Sequence, residues 1–447
     1  MPFSITVPQA IARIQAREPL IRAFVSTRLA DAARDHEARA REPSRSALHG
    51  VPFSLKDEWE TLCLPTTGGS WRHRERRSPL DSRVMRAFHD AGAILVGKSN
   101  LSDLGLAPEA SSWVGGVTRN PVDPTRSAGG SSGGAAAAVA DGMVGFDWGT
   151  DIGGSIRLPA ANCGVTGLRL SSETWPVTEL FPMAPPALTF MLAQGPITRT
   201  LAEMTAVLDV AAPRLRTGPD RGAFAPRQVA LYTLDRGGLW RDFAADVGPV
   251  FVRAGLECRP ADGLPPPSRA RWINAAVWCS HFDDIRAIEP GLTLASGLGA
   301  VLSAIFLRGR LGDRRLHPIT AELLLQIAIG RAFVFRDKAR ALADARAYRA
   351  AFERLWDAGT VVAMPVCAWP AARPGRANHN PRMLECTFPG NLVDATALAL
   401  PWGRFADGLP RALQLLGPPG SERALIRLGE RLQAGRLPTG PLMRTSG

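Results

Sequence analysis

The stretch GGSSGGAAAAVADGMVGFDWGTDIGGSIRLPAANC, residues 129–163, holds two serines in glycine-rich surroundings, Ser131 and Ser155, which lie 155 − 131 = 24 residues apart. Glycines beside a serine leave room for a substrate carbonyl and allow backbone conformations that other residues resist. Their consecutive N–H groups can also point at a single oxygen. The stretch therefore predicts a serine nucleophile next to an oxyanion hole, an arrangement suited to acyl transfer.

With these residues the chain resembles the amidase signature hydrolases, whose hallmark is a Ser-Ser-Gly-Gly loop followed by Gly-Gly-Ser at this separation. The resemblance covers most of the chain and is weakest between about 210 and 360. It rests on blocks in the family's order: LHGVPFSLKD at 48–57, LPTTGGS at 64–70, GAILVGKSN at 92–100, NPVDPTRSAGGSSGG at 120–134, GPITRT at 195–200 and NLVDATALALPWGRFADGLPRALQLLG at 391–417. Several blocks in one order identify the chain as a member far better than a single motif does.

The resemblance implies a catalytic triad. Ser155 would be the nucleophile, Ser131, held by a cis peptide in the family, would relay a proton, and Lys56 would be the base. A lysine can take a proton only when it is uncharged, so we expect burial to lower the pKa of Lys56. The chain has only two other lysines, Lys98 and Lys338, and arginine cannot act as a base at neutral pH. We expect Lys98 to anchor a strand end with its charge in water.

The loop around the second serine also predicts supporting groups. Its backbone N–H groups are the candidate oxyanion donors, namely those of Ile152, Gly153, Gly154 and Ser155. Side chains and backbone nearby are expected to hold the two loops in place, and these supporting residues are Gly130, Ser132, Asp151 and Arg157.

Other readings of the same residues are weaker. Gly129–Gly133 also fits G-x-S-x-G, but the preceding NPVDPTRSA is rich in turn formers rather than strand formers. The chain's seven histidines are scattered, which favours ordinary packing or surface roles for them. A phosphate-binding loop would need a lysine near the start of the AAAAVA helix, and none is present. The six cysteines include no C-x-x-C pair, so the sequence indicates neither a metal site nor a disulfide framework.

The resemblance implies an α/β fold with a mixed, twisted central sheet flanked by helices on both faces. Short apolar runs indicate strands at 92–97, 164–168 and 360–366, and helical periodicity indicates helices at 333–358 and 422–434. We expect a single amidase domain over 1–447, with a helical segment at 1–45 wrapping the core, a signature core at 48–200 and a C-terminal signature block at 391–417.

The net charge is 53 − 41 = +12, but the arginines are spread along the chain, so we expect no nucleic-acid partner. An acidic carrier protein and a homodimer stay open as partners. The chain has no apolar run long enough to cross a membrane, and we expect a cytoplasmic location. No cofactor is expected.

The resemblance implies a small-molecule amide as substrate, and we expect a small or medium apolar one. The stretch at 171–190 departs from the family's usual turn and, with 270–282, offers apolar surface for an acyl pocket. Its candidate pocket residues are Trp175, Phe181, Met183 and Phe190. Core packing is the competing role for these four. The alternatives to hydrolysis are an acyl- or amide-transferring enzyme, including an amidotransferase A-type subunit, and a catalytically silent binding protein on the same fold.

Overall fold

The computed structural model describes residues 2–232, 242–286 and 316–435. Its strands are β1 (Phe24–Thr27), β2 (Pro52–Lys56), β3 (Ile94–Ser99), β4 (Ser111–Ser112), β5 (Gly116–Val117), β6 (Phe146–Asp151), β7 (Thr166–Arg169), β8 (Ala193–Thr198), β9 (Gln228–Leu231), β10 (Glu257–Pro260), β11 (Thr360–Pro365), β12 (Thr396–Arg404) and β13 (Pro410–Gly417). Strands β4 and β5 form a separate antiparallel pair.

The other strands form one sheet in the order β1-β3-β2-β6-β8-β7-β12-β13-β11-β9-β10. Strand β2 runs parallel to both β3 and β6, whereas β8 runs antiparallel to β6 and β7. The sheet is therefore mixed, as predicted. It takes strands from the N-terminal segment, the signature core and the C-terminal block.

The described helices surround this sheet. They are α1 (Val7–Ile21), α2 (Leu29–Arg39), α3 (Arg83–Asp90), α4 (Gly133–Ala140), α5 (Arg157–Cys163), α6 (Leu201–Leu215), α7 (Phe243–Arg253), α8 (Pro267–Ser280), α9 (Phe282–Arg286), α10 (Pro318–Phe333), α11 (Lys338–Asp357), α12 (Phe388–Leu392) and α13 (Glu422–Ala434).

Alternation along β3 shows how both faces of the sheet are covered. Leu95 packs into a core cluster with residues of α3 and α6, whereas its neighbours Ile94 and Val96 pack into another cluster with the alanines of α4. Successive side chains of a strand point to opposite faces, so helices cover the sheet on both sides. The predicted fold class is confirmed.

Most elements predicted from periodicity are present. Strands β3, β7 and β11 and helix α13 lie where apolar runs and helical spacing predicted them. The predicted helix at 333–358 instead begins at Lys338, because Asp337 caps it by accepting a hydrogen bond from the Arg340 N–H at 2.9 Å. The N-terminal segment is not purely helical, since β1 joins the sheet beside β3. Four residues are too few for a readable alternation.

Within the described ranges, no single helix is long and apolar enough to cross a membrane. The pair α10 and α11, which meet at a bend of 108°, passes the same test together by length and composition alone.

Candidate active site

Lys56 is the last residue of β2, a strand whose five residues are all buried between its parallel neighbours β3 and β6. Its side chain is completely buried. The Nζ atom lies 2.6 Å from the Ser131 hydroxyl oxygen and 2.7 Å from the hydroxyl oxygen of Thr150 on β6. The structure therefore brings together the lysine and the first serine that the sequence singled out.

Ser131 lies in the glycine loop just before α4. The Gly130–Ser131 peptide bond is cis. A Cβ atom at position 130 would lie only 2.6 Å from backbone atoms of Glu109, so the loop can pass this point only as glycine. This close approach places the Ser131 hydroxyl against Lys56 and explains the glycine before it.

Glu58 is a functional-site residue that the sequence analysis missed. Its carboxylate oxygen lies 3.1 Å from Lys56 Nζ and accepts a hydrogen bond from the Thr150 hydroxyl at 2.7 Å. The backbone turns sharply after β2, as the Glu58 N–H donates to the Lys56 carbonyl at 2.7 Å. That turn brings a residue two positions along the chain back to the lysine. The only sign of this role in the sequence is that a glutamate directly follows Lys56-Asp57.

Two opposing effects set the charge of Lys56. Burial lowers the pKa of the Lys56 ammonium below its ordinary value, while the Glu58 carboxylate, followed by Asp151 and Asp147, raises it, and the net direction is downward. A buried amine with a lowered pKa can exist uncharged near neutral pH, as a general base must.

Ser155 follows a loop held by a buried ion pair. The Asp151 carboxylate accepts hydrogen bonds from the Gly154 N–H at 2.8 Å and the Ile156 N–H at 3.2 Å. It also pairs with the fully buried Arg157 at 3.0 Å. Burial raises the pKa of Asp151, but Arg157, Arg169 and the Asn391 amide together outweigh burial and hold that pKa well below its usual range. The charged carboxylate therefore fixes the loop on both sides of the serine.

This arrangement corrects one of the predicted oxyanion donors. The N–H of Gly154 is engaged by Asp151 and is not free to face a substrate oxygen. Gly154 itself is required by geometry, because it has a φ of +125° and a Cβ there would collide with Thr387. The glycine serves the shape of the loop rather than the oxyanion.

The two serine loops are joined directly. The Ser132 N–H donates to the Ser155 carbonyl at 3.1 Å, and the Ser132 hydroxyl donates to the Thr150 carbonyl at 3.3 Å. Ser155 is 9% exposed, so it is largely buried yet still borders a cavity. The residues predicted to support the site, Gly130, Ser132, Asp151 and Arg157, all lie in or between these loops.

Lys98 does not have the environment expected for it. It is fully buried on β3, where its ammonium lies 3.1 Å from the Asp57 carboxylate and donates to the Trp59 carbonyl at 2.6 Å. The position after an apolar run suggested a solvent-exposed strand end. Instead, β3 lies between β2 and β1 in the sheet. Asp57, next to Lys56 in the chain, thus faces Lys98 instead of the candidate base.

A serine and histidine do meet elsewhere. Ser111 Oγ lies 3.2 Å from His317 Nε2. Burial lowers the pKa of His317 to about 4, and its Nδ1 has no hydrogen-bond partner among the described residues. Asp103 accepts from the His317 backbone N–H, not from the ring. The third group that orients a catalytic histidine is therefore missing from this pair in the described part of the chain.

Two cavities adjoin the serine loops and share Leu106, Ile152 and Trp278 in their walls. The smaller, about 40 Å³, is bordered by Glu58 and Ser131. The larger, about 260 Å³, is bordered by Ser155 and has a mainly apolar wall. Across the described ranges, no group of three or more His, Cys, Asp or Glu side chains is placed to hold a metal ion.

The four candidate pocket residues take different positions. Met183 borders the smaller cavity, and Phe190 is partly buried against a core cluster. The Phe181 ring lies under the Arg76 guanidinium, 3.8 Å from it, and Trp175 is core, with its indole N–H donating to Glu422 at 2.7 Å. Core packing therefore accounts for Trp175. The wall of the larger cavity includes residues of helix α8 and none of the four candidates.

Similarity to known proteins decides the family. A family model described as Amidase matches residues 6–231 and 311–426, which is most of the chain. The chain belongs to the amidase family. It is therefore a hydrolase of the amidase family.

Two relatives that resemble the chain over nearly its full length are subunits of the same kind of enzyme. The chain is 32% identical to the A-type subunit of the glutamyl-tRNA(Gln) amidotransferase of Chloroflexus aurantiacus, over 95% of this chain and 91% of the relative. It is 31% identical to the corresponding Anaeromyxobacter protein, over 97% and 94%.

Solved structures of amidase-family proteins share the fold. A 6-aminohexanoate cyclic dimer hydrolase superimposes with a TM-score of 0.74 at 23% identity, covering 96% of this chain and 92% of its own. A peptide amidase from Stenotrophomonas maltophilia gives a TM-score of 0.72 at 22% identity with the same coverage. At these identities the likeness concerns the fold alone.

Proposed function

We propose that this protein hydrolyses the C–N bond of a carboxamide through an acyl-enzyme on Ser155, with Ser131 as proton relay and Lys56 as base. The observation that carries the proposal is the fully buried Lys56 amine, which lies 2.6 Å from the Ser131 hydroxyl. The loop that contains Ser131 is hydrogen-bonded to the loop that contains Ser155.

The lowered pKa of Lys56 favours an uncharged amine, and the hydrogen bonds around it can accommodate that state. The Thr150 hydroxyl uses its only proton on Glu58, so it must accept from Lys56. A neutral amine has two N–H groups, which would go to Thr150 and Glu58, and one lone pair, which would accept the Ser131 proton. In that state Ser131 could draw the proton from Ser155 as the latter attacks the carbonyl.

The remaining steps follow from the same contacts. The N–H groups of Ile152, Gly153 and Ser155 would stabilise the negative oxygen of the tetrahedral intermediate. The proton held on Lys56 would return through Ser131 to the leaving nitrogen, and water would then attack the ester of Ser155 with the same base assisting. The cavity of about 260 Å³ suits a small or medium acyl group, because its walls include Ile152, Trp278 and Phe388.

A panel of amides and esters, followed by the release of ammonia, amine or acid from purified protein, tests the proposal. Ser155→Ala and Lys56→Ala should each lose at least about 10³-fold in kcat, the scale seen when a member of a catalytic triad is removed. Lys338→Ala is the matched control, since that lysine is exposed on α11. Full activity in Ser155→Ala would overturn the proposal.

An amidotransferase role is the second candidate, favoured by relatives at 30–32% identity that are named as amidotransferase subunits. The chemistry at Ser155 would be the same, but the acyl group or the nitrogen would pass to another acceptor. Activity that requires an added protein partner, or a product formed with an amine in preference to water, would favour this role over simple hydrolysis.

A further inference from the structure

Helix α8 presents one face to the larger cavity. Arg271, Asn274 and Trp278 follow one another at spacings of three and four residues, so they lie on the same side of the helix, and all three border the cavity. This face lies across the same space as Ser155. It is therefore placed to contact whatever acyl group is attached to that serine.

Asn274 stands out on this face. Its side chain is 6% exposed, and its carboxamide oxygen has no hydrogen-bond partner among the described residues. An unpaired polar group in such a place costs about 1–3 kcal/mol of stability, and native proteins pair most of them. The oxygen itself is enclosed, but Asn274 borders the cavity that also borders the nucleophile, so a turn of its amide towards that cavity would let a substrate group supply the missing partner.

Several other polar side chains around the cavity already have partners, and Gln326 is exposed to solvent. Arg271 lies 3.4 Å from the Glu385 carboxylate. The Asn378 amide donates to the Ile319 carbonyl at 2.7 Å, and the Asn380 oxygen accepts from the Arg382 N–H at 3.0 Å. The described lining contains no aspartate or glutamate, so a cationic substrate would lack a counter-ion there.

We infer that the acyl chain of the substrate carries an uncharged hydrogen-bonding group, a hydroxyl or a second carboxamide, which pairs with Asn274 while the rest of the chain lies against Trp278, Ile327 and Phe388. This inference rests on the proposed function, and it narrows the substrate from an apolar amide to one with a polar group away from the scissile bond. It makes Asn274 a specificity residue.

Matched pairs of linear alkanamides and their ω-hydroxy counterparts, across a range of chain lengths, test this inference through kcat/KM. In the wild-type enzyme the hydroxylated member should be preferred by about 10-fold at the length that reaches Asn274, because one neutral hydrogen bond contributes about 1 kcal/mol or slightly more. Asn274→Leu should reverse that preference. An unchanged ratio in Asn274→Leu, or a wild-type preference for the alkyl member at every length, would overturn the inference.

Labelling of Ser155 by a fluorophosphonate separates this inference from the proposed function. If the protein is neither labelled nor active, the proposed function and the inference both fail. If the protein is labelled but Asn274→Leu leaves the ratio of kcat/KM for the paired substrates unchanged, or neither substrate series is hydrolysed, only the inference fails. Asn274→Leu should also raise the melting temperature, because it removes an unpaired buried amide. If Asn274→Leu does not fold, Asn274→Ala takes its place. In that variant the ratio of kcat/KM for the hydroxylated and alkyl amides should fall to about one.

Discussion

At the scale of single residues, the site is organised by how many protons each polar atom can give or take. Thr150 sits between Lys56 and Glu58 and can donate only to the carboxylate. When Lys56 is uncharged, Thr150 and Glu58 therefore leave one direction for its lone pair, towards Ser131. The same inventory shows why Glu58 matters although it does not touch Ser131 directly.

Replacing Glu58 by glutamine should move the acidic limb of the pH profile of kcat/KM to lower pH. The carboxylate raises the pKa of Lys56, so its loss lets burial act with less opposition, although Asp151 and Asp147 still raise that pKa from further away. A lysine with a lower pKa becomes an uncharged base at lower pH. The measurement is kcat/KM against pH for both proteins on one amide.

An exposed glutamate provides the control for Glu58→Gln. Glu75 has a side chain that is 83% exposed, and Glu75→Gln should leave the limb where it is. A limb that stays in place in Glu58→Gln, or moves to higher pH, would show that the carboxylate does not act on the base.

Some residues of the candidate site could be predicted from the sequence and others could not. Lys56, Ser131 and Ser155 could be proposed from motif and resemblance, since each stands inside a signature block. Glu58, Asn274 and the engagement of Gly154 by Asp151 could not. The roles of Glu58 and Asn274 depend on which distant parts of the chain lie beside them, such as Thr150 beside Glu58, and periodicity carries no such information. The hydrogen bond from Gly154 to Asp151 is local, but it depends on the conformation of the loop, which the residue types do not fix.

At the scale of elements, loops rather than helices tie the catalytic region together. Both oxygens of the Glu109 carboxylate lie 3.0 Å from the Gly375 N–H, which joins the segment before β4 to the loop between β11 and α12. The backbone of Glu109 also forms the wall against which Gly130 packs. The charge of this carboxylate should therefore influence the stability of the region around Ser131.

Glu109→Gln should stabilise the protein above pH 7. Burial raises the pKa of Glu109 from 4.5 to about 7, so the folded state holds this proton more tightly than the unfolded state does. The resulting stability is present below pH 4.5 and is lost as pH rises through 7, a loss of about 3 kcal/mol at most. Glutamine cannot ionise and avoids the loss.

Chemical denaturation at several pH values measures this effect. The free energy of unfolding of Glu109→Gln should exceed that of the wild type by about 1–3 kcal/mol at alkaline pH, with the difference shrinking towards pH 4.5. Glu75→Gln, on the surface, should show no such trend. A difference that does not vary with pH would mean that Glu109 acts only through its hydrogen bonds.

At the scale of the whole molecule, one sheet carries residues of the site from distant parts of the chain. Lys56 and Thr150 come from neighbouring parallel strands, whereas Ser131 and Ser155 lie in loops next to α4 and α5. The C-terminal block closes the structure, because Asp394 pairs with the buried Arg169 at 3.0 Å and accepts from the Ser171 hydroxyl at 2.7 Å.

The sequence predicted this architecture only in part. Apolar runs located strands such as β3 and β11, and resemblance supplied the mixed sheet that joins them. The order of the strands could not be read from local patterns, because pairs such as β7 with β12 lie far apart along the chain. The short strand β1 and the burial of Lys98 depend on the same long-range pairing.

The rate of fluorophosphonate labelling at Ser155, measured against pH in the wild type, Lys56→Ala and Ser131→Ala, tests the central claim most directly. In the wild type the rate should rise with pH as Lys56 loses its proton, with a midpoint below the ordinary 10.5, because burial favours the uncharged amine. Both variants should lose this pH-dependent labelling. A midpoint near 6.5 that survives in Lys56→Ala would identify a histidine as the base and contradict the account.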